Sequence, residues 1–374
     1  MKGDGKKKLG LVTWIGGPNY GTVLQAYALH AVLCSLGCDV RIIRKFDFVW
    51  GVKLKLNRFL KPLGINILKT RDADTLKMKR VRELQASTFR YQDIIGPFGR
   101  CRAGVGYDAY LCGSDQLWNS WNCFDPFFFL DFVRKGRKMA YSVSLGNPEI
   151  RPELQPRIKE LVSGFDALSL REESGVRTIG SLTGRTDVRL AADPTLLLTA
   201  DEWKEFASGA NFAAPLPDKY ILCYLLRRRD DYSEIVDRVR QATGIDSVLI
   251  VPSGEYPDLE LPGARVVEEA GPREFVSLVA NAAAVLTDSF HGTLFSVNLG
   301  RDVINLRRFE DSDHKSQNSR LYDLAETLGM GDRFIDGEQW KQPMDHHALS
   351  EKVEALRQDS LSYLRGFISS LPKR

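Results

Sequence analysis

Short apolar runs closed by glycine or polar turns alternate along this chain with stretches whose apolar positions recur at helical spacing. The first kind reads as buried strand, the second as amphipathic helix. Residues 8–15 form the first predicted strand and 16–21 (GGPNYG) a glycine-rich turn. A helix follows, with Leu29, Val32, Leu33 and Leu36 on one face and Gly37 as its stop. Further strands are predicted at 40–43, 107–112, 139–145, 167–170 and 188–192. The second half repeats the rhythm, with strands at 220–226, 247–251, 283–287 and 303–306 and helices at 231–243, 272–280 and 318–328. A long amphipathic helix, 349–368, comes last. This alternation predicts an α/β protein whose parallel sheets are covered on both faces.

At 374 residues the chain is long for one core, and two domains are expected. The boundary is placed after Asp193-Pro194, because Thr199-Ala200-Asp201-Glu202-Trp203 opens a newly capped helix. The division is 1–194, 195–345, and a terminal helical segment 346–374. The basic start leads into a run broken by Gly and Pro, which reads as a strand and not as a signal peptide. No apolar stretch approaches the ~18 residues of a membrane-spanning helix. Six scattered cysteines, 34, 38, 101, 112, 123 and 223, form no CxxC pair and suggest reduced thiols. A cytoplasmic location is the expectation. The net charge of +4 hides an uneven distribution: residues 53–102 hold thirteen Lys or Arg against four Asp or Glu. That segment, read as irregular and partly helical, is a solvated face or a docking surface for anionic headgroups at the inner membrane face. Interleaved aromatics are lacking, which argues against nucleic acid.

The most informative stretch is 282–300, AAAVLTDSFHGTLFSVNLG. Its apolar run predicts a strand, Asp288 and Ser289 a helix cap, and Gly292 onward a helix. A strand, tight turn and helix N-terminus leave free N–H groups and a positive dipole at a sheet edge, suited to a phosphate. His291 lies on that first turn. Three other strand ends carry chemistry. Asn19 and Tyr20 head the first helix in a glycine turn that does not match GxGxxG. Asp115, Gln116 and Trp118 follow Gly113, offering hydrogen bonds and a flat ring of the kind a sugar needs. Arg171 follows the strand at 167–170 and could make a two-pronged contact with a carboxylate or phosphate.

The segments NYGTVLQAYAL (19–29), YDAYLCGSDQLWN (107–119), LSLREESG (168–175), DPTLLL (193–198), VLTDSFHGTLFS (285–296) and NSRLYDL (318–324) together resemble the polysaccharide pyruvyl transferase family. The resemblance implies a fold like the GT-B glycosyltransferases: two Rossmann-like domains facing across a cleft, the last helix packing back on the first. It implies transfer of pyruvate from phosphoenolpyruvate to a sugar as a cyclic ketal. Ser289, Phe290, His291, Gly292 and Thr293 would then bind the donor, with Arg171 gripping it from across the cleft. His291, Asp115 and Arg171 become the catalytic candidates, and Asn19, Tyr20, Asp115, Gln116 and Trp118 the acceptor-binding ones. The family often has Arg two residues before this His. Here that position is Ser289, so Arg320 is the candidate substitute.

Phosphoenolpyruvate would serve as a substrate, and neither a cofactor nor a metal is implied. The acceptor would be a galactose-type residue of a capsular or exopolysaccharide intermediate, with a polyprenyl-pyrophosphate-linked form as one version. Two rival readings use the same cleft: a nucleotide-sugar glycosyltransferase, and a binding protein that has lost turnover.

Overall fold

The computed structural model describes residues 6–46, 60, 75–95, 106–122, 124–253, 259–313 and 316–372. Its first half runs β1 (Lys8–Val12), α1 (Tyr20–Ser35), β2 (Asp39–Phe46), α2 (Leu76–Thr88), β3 (Tyr91–Ile95), β4 (Ala109–Cys112), β5 (Arg137–Val143), α3 (Gln155–Ser163), β6 (Ala167–Leu170), α4 (Glu173–Thr183) and β7 (Arg189–Leu190). The chain continues with α5 (Pro194–Leu197), α6 (Ala200–Ala207), β8 (Ile221–Tyr224), α7 (Tyr232–Thr243), β9 (Val248–Ile250), β10 (Ala264–Val266), α8 (Pro272–Asn281), β11 (Ala284–Thr287), α9 (Phe290–Asn298), β12 (Asp302–Asn305), α10 (Ser319–Leu328) and α11 (His346–Ser369).

The strands form two sheets, ordered β3-β2-β1-β4-β5-β6-β7 and β10-β9-β8-β11-β12, and every pairing is parallel. Every residue of β4, β8 and β11 is buried, as expected for strands covered on both faces. One apolar cluster runs from Leu9 and Leu29 in the first half through Phe275 and Phe295 in the second to Leu364 in α11. The long helix packs on both halves. Ala192 donates its N–H to Ser360 Oγ at 2.8 Å, and Arg357 Nε donates to the Leu196 carbonyl at 2.6 Å.

Two strands were not anticipated. β3 carries polar Gln92 and Asp93 at the sheet edge, and β10 is three residues long, so neither shows a clear apolar run. The segment Asp193-Pro194-Thr195, at the expected domain boundary, caps α5: the Asp193 side chain accepts the Thr195 N–H. Most of the basic stretch 53–102 lies outside the described residues, as do Cys101 and Cys123. The other four cysteines are free thiols. Among the described residues, no helix is long and apolar enough to cross a membrane.

Candidate active site

In each sheet the order in which strands are added reverses beside its first strand, between β1 and β4 and between β8 and β11. Loops leaving the carboxyl ends of such strands diverge and open a crevice. The two crevices face each other and enclose a cavity of about 190 Å³. From the first half it is lined by Trp14, Asn19, Thr22, Asp115, Gln116 and Asn122. From the second come Leu226, Ser289, Phe290, His291, Arg308, Gln317 and Arg320. The Gln116 amide reaches Gln317 and Arg320 across the seam, its oxygen accepting from Arg320 Nη1 at 3.0 Å, and Asn147 Nδ2 donates to the Ser316 carbonyl at 3.2 Å.

Helix starts converge here. Asn19 caps α1 by accepting the Thr22 N–H, and Ser289 caps α9 by accepting that of Gly292. The Ser289 N–H donates to Thr287 Oγ1. Among the described residues, the Phe290 and His291 N–H groups have no acceptor, which leaves the positive end of α9 facing the cavity. Asp288 is not part of this cap. Its two carboxylate oxygens accept the N–H groups of Leu226 and Arg227 at 2.7 and 3.0 Å, fixing the loop after β8. Burial pushes its pKa up to about 6 despite those hydrogen bonds.

His291 belongs to the second half but is fitted against the first. Its ring lies on Gly21 of α1, where an added Cβ would sit 2.2 Å from His291 Nδ1, so only glycine admits the imidazole. On the other side Nε2 is shut off from solvent and faces Asp193 Oδ2 at 3.5 Å, an ion-pair distance without hydrogen-bond geometry. Nδ1 is thus the ring nitrogen that reaches the cavity. An ionised Asp193 beside Nε2 favours the tautomer protonated there, leaving the Nδ1 lone pair free to accept a proton. Burial by itself would raise the Asp193 pKa, but His291 and Arg171 outweigh it and hold the carboxyl well below its ordinary value.

Beneath the cavity lies a closed charge network. The Arg171 side chain has no exposure and meets Asp193 at 2.9 Å, Glu172 at 3.0 Å and Asp115 at 3.5 Å. Burial opposes the cation, yet these carboxylates keep the Arg171 pKa above its ordinary value. Asp115 also accepts from Thr22 Oγ1 at 2.9 Å, and Glu172 from Ser144 Oγ at 2.6 Å.

Arg320 is the opposite case. It is also buried, yet among the described residues it has no ion-pair partner: it donates to the Gln317 carbonyl and to Gln317 Oε1. Burial, then repulsion from Arg171, pull its pKa down to about 9. Glu172 and Asp115 act against that fall only from a distance, so the positive charge, which a guanidinium keeps, is compensated in part. No group of three or more His, Cys, Asp or Glu able to hold a metal occurs among the described residues.

A family model for polysaccharide pyruvyl transferase matches residues 19–308, well over half of the chain. The chain belongs to that family. No curated protein matches it closely. Among solved structures it is similar to Arabidopsis thaliana UGT89C1, with TM-score 0.52, 9% identity, and 97% of this chain and 100% of that one covered. It is also similar to the UDP-GlcNAc 2-epimerase from Methanocaldococcus jannaschii, at TM-score 0.49, 13% identity and coverage of 93% and 92%. The UDP-N-acetylglucosamine 2-epimerase from Rickettsia bellii gives 0.48, 11%, and 97% of both chains. At such identities the likeness concerns fold alone, and the architecture is the two-sheet GT-B-like one.

Within this polysaccharide pyruvyl transferase, the expected residues are distributed unevenly. Asn19, Asp115, Gln116, Ser289, Phe290, His291 and Arg320 line the cavity. Arg171 does not: it lies a layer below, facing Phe290 at 4.3 Å, with its donors taken by carboxylates. Trp118 is a core residue stacked on Phe129 at 4.7 Å, its Nε1 donating to the Phe128 carbonyl. Tyr20 is stacked on Phe275 at 4.6 Å and donates to the Ala270 carbonyl, joining the two halves. Thr293 is fully buried and bonds Asn305, and Gly292 packs on Thr287, where a Cβ would meet Oγ1 at 2.5 Å. Trp14, Thr22, Asn122, Arg308, Gln317 and Asp193 were not anticipated. For Asp193 the signal was present, since an Asp ending a strand before Pro-Thr is both a helix cap and a carboxylate at the productive sheet edge.

Proposed function

We propose that this transferase moves pyruvate from phosphoenolpyruvate onto two hydroxyls of a sugar, forming a cyclic ketal and releasing phosphate. The observation that supports this most directly is Arg320, a buried cation with no carboxylate in ion-pair contact among the described residues, beside His291 and the open N-terminus of α9. Such a site favours an anion. A three-carbon acid phosphate carries two anionic ends, one for the α9 N–H groups and one for Arg320 and Arg308. The cavity of about 190 Å³ suits a ligand of that size. It falls below the ~300–1,000 Å³ of typical larger-ligand sites, which disfavours a nucleotide sugar.

The chemistry follows from the same groups. The donor methylene takes a proton and becomes methyl, leaving a cationic central carbon. One acceptor hydroxyl attacks that carbon and gives up its proton, with Nδ1 of His291 placed to accept it. The bond from carbon to phosphate oxygen then breaks, the electron pair leaving with phosphate, and the second hydroxyl closes the ring. Of the two hydroxyl protons, one ends on the methyl group and the other on phosphate. Asp193 positions the imidazole, while the α9 dipole and Arg320 stabilise the departing charge. Asn19, Asp115, Gln116 and Asn122 hold the acceptor hydroxyls. The acceptor assigned is a galactose-type residue of a capsular or exopolysaccharide intermediate, lipid-linked or free.

The test is incubation of the full chain with phosphoenolpyruvate and a panel of synthetic and lipid-linked galactosides. Expected are a pyruvate mass increment on the sugar and an equal amount of phosphate. Nucleotide released from a sugar donor, or phosphoenolpyruvate bound with no product from any acceptor, would overturn the proposal.

A further inference from the structure

The candidate cavity grades from a closed floor to an open mouth. Ser289, Phe290, His291 and Arg320 are buried, as are Thr22 and Asp115. The lining residues that keep contact with solvent are Trp14, Asn19, Gln116, Asn122 and Arg308. All of these but Arg308 come from the first half. The mouth is thus a set of amides around one indole.

Trp14 follows β1, the strand at the switch point of the larger sheet. Its backbone is fixed from below by Gln25, a residue without exposure. Gln25 Nε2 donates to Thr13 Oγ1 at 3.0 Å and to the Trp14 carbonyl at 3.2 Å, while its Oε1 accepts the Ser114 N–H at 3.1 Å. The indole is backed by the apolar cluster of the first half and stands nearly perpendicular to Phe128, the ring centres 6.0 Å apart. The rest of it borders the cavity. Trp118, Trp121 and Trp203 each give their indole N–H to a backbone carbonyl, at 3.1, 2.7 and 2.8 Å. Among the described residues, the Trp14 N–H meets no acceptor. Phe290, in the same lining, has Arg171 and Arg320 over its ring at 4.3 and 5.5 Å. Trp14 is therefore the aromatic surface that the cavity leaves to a ligand.

We propose that Trp14 is the acceptor platform: the sugar ring that receives pyruvate lies on its indole, and this residue helps to set which sugar is taken. The inference rests on the proposed function. It follows from what the two ends of the cavity offer. The floor, with Arg320 and the start of α9, favours an anion, and a neutral ring of hydroxyls gains little there. The mouth offers an apolar face bordered by Asn19, Gln116 and Asn122, which suits a ring with C–H groups on one face and hydroxyls at its edge. In a galactose-type ring the C–H groups at C3, C4 and C5 form one apolar patch, and the axial O4 stands on the opposite face. Seated by that patch, the sugar turns O4 away from the indole and leaves it open to attack the donor. A glucose-type ring, with its C4 hydrogen on the other face, fills the patch less completely.

The test uses the full chain with phosphoenolpyruvate and two probes that differ at C4, methyl β-galactoside and methyl β-glucoside. In the native chain, saturation-transfer NMR should mark H3, H4 and H5 of the galactoside most strongly. Trp14→Ala is expected to raise the KM for the galactoside by about 3–10-fold and to narrow its preference over the glucoside. The KM for phosphoenolpyruvate should stay as it is, and Trp14→Phe should recover most of the loss. Saturation spread evenly around the ring, or none on either probe, overturns the platform. So does an equal rise in both KM values, which marks a residue that only supports the fold. Galactoside turnover at the native KM in Trp14→Ala also overturns it and leaves pyruvyl transfer standing. Galactoside binding that needs Trp14 but yields no ketal supports the platform and counts against the pyruvyl-transfer reading.

Discussion

Two arginines stand over the Phe290 ring, Arg171 at 4.3 Å and Arg320 at 5.5 Å from its centre. Both are buried, and both were candidates for gripping an anionic donor. Their surroundings separate them. Arg171, in the first half, is neutralised by three carboxylates and has no exposure. Arg320, in the second, borders the cavity with amide oxygens alone. A buried charge with its counter-charges in contact is architecture, and one without such contacts suits an anionic ligand. The wall contributed by the first half is therefore electrostatically complete, and the wall contributed by the second is not.

The largest effect expected on either wall comes from the residue that touches both. His291→Ala should lower kcat by about 10²–10⁴-fold while the thermal midpoint stays near that of the native chain. Normal turnover in this variant would remove the acid–base role. Arg171→Met should act on the fold, since it leaves three buried carboxylates without their cation. A loss of about 3–5 kcal/mol in denaturant unfolding is expected. If that variant instead stays stable and only binds phosphoenolpyruvate less well, the division between the two arginines fails.

Arg320→Gln should do the reverse, raising the KM for phosphoenolpyruvate by about tenfold or more without loss of stability. Added phosphate should raise the melting temperature of the native chain and not that of the variant; equal shifts in both would contradict the assignment. The last effect concerns Asp288, whose folded-state pKa of about 6 exceeds the ordinary 3.8. The native state then keeps a proton that the unfolded chain releases between those values. The associated stability, roughly 3 kcal/mol, is complete below the unfolded value and is lost as pH rises through about 6. The stability advantage of the native chain over Asp288→Asn should accordingly grow as pH falls from about 7 to about 4. A flat difference across that range would rule out a buried, titrating Asp288.

The strand and helix alternation was legible because parallel strands buried on both faces leave uninterrupted apolar runs such as AYLC and AVLT. β3 was not, since an edge strand needs no such run. The Ser289–His291 turn was readable from strand, cap and helix following one another within a few residues. Side-chain direction was not. Trp118 and Trp121 sit on the same turn beside the same polar groups, but one points into the core and the other into a groove. Nothing local in the sequence distinguishes them. Arg171 and Arg320 were only partly distinguishable: Glu172 stands next to Arg171 in sequence, but Asp115 and Asp193 reach it only through the fold.

The closeness of Gly21 to His291 has a mechanical meaning. The imidazole is borne by one lobe, while the bare backbone it rests on and the carboxylate that orients it belong to the other. If the lobes part to admit a substrate, the ring loses its seat and its aspartate in the same movement. Shutting the clamshell and arming the proton carrier are then a single event, and a donor caught in the gaping form stays unspent.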